Sequence, residues 1–202
     1  MKLYYSPGAC SLSPHIALRE AGIAFQAEKV DLATKKTESG ADFKAINPKG
    51  YVPVLVLDDG QVLTEGPVIV QYIADQKPGA HLAPANGTPA RYRLQEWLNY
   101  VTAELHKSLG SLFNAKMPKE WQDQVKEGIA SRFDFLSKQL AGKTYLAGDG
   151  FSVADGYLFT VLGWTKYVGI DLAKWPVLKA YYDRIAQRPA VQAALKAEGL
   201  AG

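Results

Sequence analysis

The chain is poor in sulfur: among 202 residues there is one cysteine, Cys10, and there are two methionines. One cysteine excludes an intrachain disulfide framework and makes a cysteine-rich zinc site untenable. It fits a reducing compartment. Long apolar runs are also missing. None approaches the roughly 18 residues needed to span a bilayer, and the opening Met1-Lys2-Leu3-Tyr4-Tyr5-Ser6-Pro7 has one positive charge with no apolar segment behind it. The expectation is a cytoplasmic protein that binds no membrane. Neither sign of charge dominates. The 23 Lys and Arg against 20 Asp and Glu leave a net charge of +3, and Lys35-Lys36 is the one adjacent basic pair. Scattered bases of this kind argue against a nucleic-acid groove. What remains is an ordinary globular composition, 48% hydrophobic, sufficient for one large core or two small ones.

Two halves with different periodicity follow. Lys2 to Tyr5 reads as a strand, Ser6-Pro7-Gly8-Ala9 as a turn, and the chain from Ser11 as a helix stopped by Gly22. Phe25 to Leu32 reads as a second strand with Phe25, Ala27 and Val30 inward, and Asp42 to Ile46 as a short helical turn. The apolar run Val54-Leu55-Val56-Leu57 has the mark of a buried strand. Asp58-Asp59-Gly60 turns it back into Gln61 to Thr64, and Pro67 opens a helix. The predicted order is β-α-β-α-β-β-α over residues 1–80. Proline- and glycine-rich residues 81–87 read as a linker, and 88–202 as an all-helical domain. Its helices are expected at Thr88 to about Lys116, Lys119 to about Leu140, Ser152 to Val168, Trp175 to Gln187 and Ala190 to Ala197.

Cys10 falls at the first strand-to-helix junction, where backbone amides and the helix dipole favour a thiolate. A small buried hydrophobe accounts for it equally well. In Cys10-Ser11-Leu12-Ser13 the place of a second cysteine is taken by Ser13. A second sulfur for thiol exchange must therefore come from another molecule. On the long helix, Leu94, Leu98, Val101, Leu105 and Leu109 form one apolar stripe. Asn99, Ala103, His106 and Gly110 form another, about 130° away, suited to the floor of a cleft. A solvent-facing histidine is the plain alternative for His106; His15 and His81 read as structural or surface residues. Ser152-x-x-Asp155, with Phe151 as staple, is a capping box without chemical role. The aromatics around Trp164 and Tyr167 suit either a core or a ligand wall.

Over essentially its full length the chain resembles glutathione transferases of the bacterial beta class. The resemblance is carried by the opening to Cys10, Asn47-Pro48-Lys49-Gly50 running into Val52-Pro53, Thr64-Glu65-Gly66, Glu104-Leu105-His106, residues 151–155, and Arg188-Pro189-Ala190-Val191. It implies a thioredoxin-like α/β amino-terminal domain and an all-α carboxy-terminal helical bundle. It also implies a cis Val52-Pro53 bond, where the base rate alone gives trans. Cys10 and His106 would be the catalytic residues. Lys35 would hold the glycine-end carboxylate of glutathione, the Val52 backbone would pair with the tripeptide, and Glu65 and Gly66 would take its ammonium and α-carboxylate. Asn99, Ala103, Glu104 and Leu105 join Cys10 and His106 in the expected binding set.

The implied activity is transfer of glutathione, a co-substrate, to a hydrophobic electrophile by a homodimer with no metal. Two alternatives stand beside it. One is a glutathione-dependent disulfide reductase or peroxidase working through Cys10; the other is a non-catalytic scaffold for apolar ligands.

Overall fold

The computed structural model describes residues 1–200 and divides into two compact units. The first runs from Met1 to Ala83 and takes up the chain again from Arg188; the second is Pro84–Gln187. In the first unit, β1 (Lys2–Tyr5), α1 (Leu12–Glu20), β2 (Gln26–Asp31), a two-residue β3 (Lys36–Thr37), α2 (Phe43–Ile46), β4 (Val54–Val56), β5 (Val62–Thr64) and α3 (Gly66–Gln76) follow in order. The five strands lie in the order β3-β2-β1-β4-β5. β1 and β2 are parallel, as the intervening helix requires; β4 runs antiparallel to both β1 and β5. This is the thioredoxin-like arrangement. Leu3, Val54 and Leu55 are fully buried, and α1 packs against α3.

Three sequence expectations need correction here. Ala27 was expected inward on the second strand but is exposed; Glu28 and Val30 face in. Strand parity allows Ala27 or Val30 on one face, never both, and Val30 takes the core site beside Tyr4 and Phe43. β3 has no apolar pattern and was not foreseen. Finally, the last helix, α9 (Pro189–Ala197), belongs to the first unit and not to a helical domain spanning 88–202. Val191 and Ala194 are fully buried, α9 packs along α1, and Arg188 grips the Glu20 carboxylate with Nε at 2.6 Å and an Nη at 2.9 Å.

The second unit is helical. It contains α4 (Pro89–Tyr100), a π-helical turn (Val101–His106), α5 (Lys107–Ser111), α6 (Lys119–Leu140), α7 (Val153–Leu162) and α8 (Pro176–Ala186). The expected single helix from Thr88 is thus interrupted. The Lys107 N–H reaches back five residues to the Thr102 carbonyl, the mark of a π turn. The predicted apolar stripe survives it: Leu94, Leu98, Val101, Leu105 and Leu109 are all at most 1% exposed. The helix foreseen from Ser152 to Val168 stops at Leu162, and a separate 3₁₀ turn covers Thr165–Tyr167. Every residue of α7 is buried, as a helix apolar on all sides must be. Among the described residues no helix is long and apolar enough to cross a membrane.

Candidate active site

The predicted site residues fall on both units. Cys10, Lys35, Val52, Glu65 and Gly66 lie on the first; Asn99, Ala103, Glu104, Leu105 and His106 lie on the second.

Cys10 sits in the turn between β1 and α1. The turn is closed by the Ala9 amide on the Ser6 carbonyl and the Leu12 amide on Ala9, both at 3.0 Å. Ser11 is fully buried and spent on the same turn: its hydroxyl donates to the Ser6 carbonyl and accepts from the Ser6 amide. Gly8 adopts φ +71°, which favours glycine, and its amide donates to Glu198 at 2.9 Å. Glu198 in turn accepts from buried His15, whose other ring nitrogen receives Arg19 Nε. The carboxy-terminal segment thereby braces the cysteine loop. The half-buried Cys10 sulfur donates to the Val52 carbonyl at 3.2 Å. A carbonyl is an acceptor, so in this contact the thiol keeps its proton. Tyr5, the phenol nearest in sequence, is held protonated: burial, then Glu198 and Glu38, push its pKa up. Ser13 is buried, and its hydroxyl has no hydrogen-bond partner.

The Val52-Pro53 bond is cis. The Val52 side chain packs in the core with Tyr4, Val30, Phe43 and Val54, so only its backbone has polar atoms to present. Its loop is tied by Asn47 Nδ2 on the Tyr51 carbonyl at 2.8 Å. Lys35, at φ 59°, donates Nζ to the Gly50 carbonyl on the same loop at 3.0 Å. Glu65 also takes a left-handed conformation, φ 69°, at the amino terminus of α3. Strain of this sort in a non-glycine residue is concentrated at functional sites. Its exposed carboxylate meets Lys49 Nζ at 2.7 Å. Gly66 follows as the first residue of α3; a Cβ placed on it would sit 3.9 Å from Pro53 Cγ, an ordinary contact. Cys10, Val52, Pro53 and Gly66 are therefore contiguous, with Lys35, Lys49 and Glu65 around the same loop. Lys49 carried no role in the sequence reading; its pairing with Glu65 depends on how the loop folds and has no local signal.

In the second unit Asn99 and Ala103 are exposed and His106 and Gly110 half-buried, so this stripe lies off the core. Glu104 pairs with Arg132 at 2.7 Å. Leu105 is fully buried and has no side-chain surface for a ligand. His106 Nδ1 lies 2.5 Å from the Tyr157 hydroxyl, and its ring meets Trp164 edge-to-face at 4.9 Å between centroids. Trp164 also packs against exposed Phe113. Tyr167 is exposed, with Lys166 Nζ over its ring. Tyr157 escaped the sequence reading because a tyrosine in an apolar helix carries the same pattern as any core aromatic.

Comparison with known proteins is consistent with this geometry. The amino-terminal domain profile of glutathione S-transferases matches residues 8–76, and the carboxy-terminal domain profile matches residues 97–189. Glutathione S-transferase GstA of Escherichia coli O157:H7 is 46% identical over 99% of this chain and 100% of its own. Two solved structures are each 55% identical with a TM-score of 0.96, covering 99% of this chain and 100% of theirs. One is a sphingomonad glutathione S-transferase complexed with glutathione, the other a bacterial beta-class glutathione S-transferase from Sphingomonas chungbukensis. A thioredoxin-like unit with a cysteine against a cis-proline loop, followed by a helical unit, defines the class. The chain belongs to the glutathione S-transferase family, in its bacterial beta class.

Proposed function

We propose that the protein transfers glutathione to hydrophobic electrophiles. The observation that carries this is the single cluster formed by Cys10, the Val52-Pro53 loop and the amino terminus of α3. An extended tripeptide pairs with the Val52 backbone as an added strand. The helix amino terminus at Gly66 receives its α-carboxylate, and Glu65, once it exchanges Lys49, receives its ammonium. Lys35 serves the glycine-end carboxylate. The glutathione sulfur then lies near Cys10, and His106 is assigned a catalytic role on the family resemblance alone. The rate gain comes from proximity and a lowered thiol pKa. With a chloronitroarene, a carbon–sulfur bond forms, the carbon–chlorine bond breaks, and the thiol proton and chloride leave. The protein acts as a cytoplasmic homodimer in which residues 1–80 bind glutathione and the helical domain offers the electrophile site. Thiol–disulfide exchange at Cys10 is a secondary activity.

Calorimetric titration with reduced glutathione tests this. Wild type is expected to bind saturably, and Glu65→Ala at least tenfold more weakly, the loss of a charge-assisted hydrogen bond. Equal affinity in both proteins would remove the assigned mode of binding.

A further inference from the structure

We infer that Lys49 is a specificity-determining residue: the Lys49–Glu65 ion pair opens to admit the α-amino-acid end of glutathione, the ligand ammonium passing to Glu65 and the α-carboxylate to Lys49. This rests on the reading of Glu65 as the ammonium acceptor, and every residue involved lies in the first unit.

The Glu65 carboxylate is already in use. Lys49 Nζ donates to Glu65 Oε1 at 2.7 Å and to Thr64 Oγ1 at 3.1 Å. A ligand ammonium reaches Glu65 by displacing this one or by crowding beside it, and two cations at one carboxylate repel. Simple displacement strands Lys49 without a counter-ion. An α-amino acid avoids that, because its ammonium and carboxylate share one carbon and arrive together. One ion pair and one zwitterion become two ion pairs, with no charge left over.

The start of α3 is short of donors for that carboxylate. Pro67 has no N–H. The Val68 and Ile69 amides both donate to the Glu65 carbonyl at 3.0 Å, and no side chain caps the helix. The Gly66 amide is what the first turn has left for a group with two oxygens. A second donor has to come from a side chain. Lys49 Nζ carries three protons, and its bond to Thr64 keeps it two residues from Gly66.

The base of Lys49 is fixed and its head is free to swing. Its amide donates to Asn47 Oδ1 at 3.2 Å. Asn47 is buried, its Nδ2 holds the Tyr51 carbonyl at 2.8 Å, and the Gly50 amide closes on the Asn47 carbonyl at 2.8 Å. The two charged side chains are 52% and 64% exposed, and a pair in that setting is weak enough to exchange partners readily. Rotation of the Lys49 side chain is all the exchange requires. Glu65 alone would accept any primary ammonium; the pair demands a carboxylate on the same carbon, as in the γ-glutamyl end of glutathione.

The test is calorimetric titration of wild type and Lys49→Met, a replacement at an exposed position that keeps the side-chain stem and the fold. Two neutral analogues of glutathione are compared. γ-Glutamyl-cysteinyl-glycinamide keeps the α-carboxylate, and γ-aminobutyryl-cysteinylglycine lacks it. The glycinamide is expected to bind Lys49→Met about fivefold more weakly than wild type, the scale of an exposed ion pair, and the aminobutyryl analogue to bind both proteins within about twofold. The two ligands have the same net charge, so a general effect of charge acts on them alike. Equal loss for both overturns the inference, as does no loss for the glycinamide. Glutaryl-cysteinylglycine, which lacks only the ammonium, checks the reading beneath it: wild type should bind it about tenfold more weakly than glutathione. Equal binding of that analogue removes the role of Glu65 and takes the inference with it. Weak binding of it, together with equal loss for the two neutral analogues, overturns the exchange at Lys49 and leaves Glu65 in place.

Discussion

Glu28 is the clearest case of a single side chain set by its surroundings. It occupies an inward position of β2, where an apolar residue is usual, and survives there through partners. Burial pushes its carboxyl up. The Lys2 ammonium, the Ser39 hydroxyl and amide, and the Thr37 hydroxyl outweigh that and hold it at about 2, against an ordinary 4.5. A folded-state pKa lowered in this way stabilises the fold above the ordinary value, and the gain is lost as pH falls through 2. Lys2 is one-third exposed, so the pair is worth about 1 kcal/mol. Glu28→Gln should lower the urea midpoint at pH 7, and the gap to wild type should close between pH 5 and about 2. A gap independent of pH would show that Glu28 is held by packing alone. Nothing in the local sequence announces this group, since Lys2 meets Glu28 through the pairing of β1 with β2, and Ser39 meets it through the pairing of β2 with β3.

At the scale of elements, caps and punctuation were legible and interruptions were not. The capping box at Ser152 and Asp155, the Asp42 cap of α2 and the prolines opening α3, α8 and α9 are local devices, and each stands where its residues call for it. The π turn at Val101–His106 has no such signature, because it keeps the leucine stripe buried while adding a residue. The length of α7 was overestimated because the apolar pattern runs on past Leu162 into the following turn. Asp155 does more than cap. It is fully buried and also accepts from the Leu146 amide and the Tyr181 hydroxyl, both at 2.8 Å, joining α7 to α8 and to the loop before it. Burial raises its pKa, and the four donated bonds oppose that. Asp155→Ala would strand those donors, each costing roughly 1–3 kcal/mol. The expected loss in urea unfolding is about 4 kcal/mol or more, against about 1 kcal/mol for Ser152→Ala. A loss below 1 kcal/mol for Asp155→Ala would mean that the capping box holds nothing beyond its own helix.

For the whole molecule, periodicity was enough to separate an α/β half from a helical half, because strands and helices alternate in one and only helices recur in the other. The return of α9 to the first unit was not readable. α9 has the same amphipathic pattern as the helices before it. Its partners Glu20, His15 and Gly8 are in the first twenty residues, far away in sequence. The residues of the cysteine site were legible mainly as motifs: Cys10, Val52-Pro53 and Glu65-Gly66 are each unremarkable alone, and the fold makes them contiguous.

Glutathione transfer by this chain is tested most directly by its steady-state rate with glutathione and a chloronitroarene, measured for wild type and Cys10→Ser beside a disulfide-reduction assay. Saturable conjugation in wild type, largely kept in Cys10→Ser while disulfide reduction is lost, is the predicted result. Conjugation no faster than the uncatalysed reaction in wild type would contradict it.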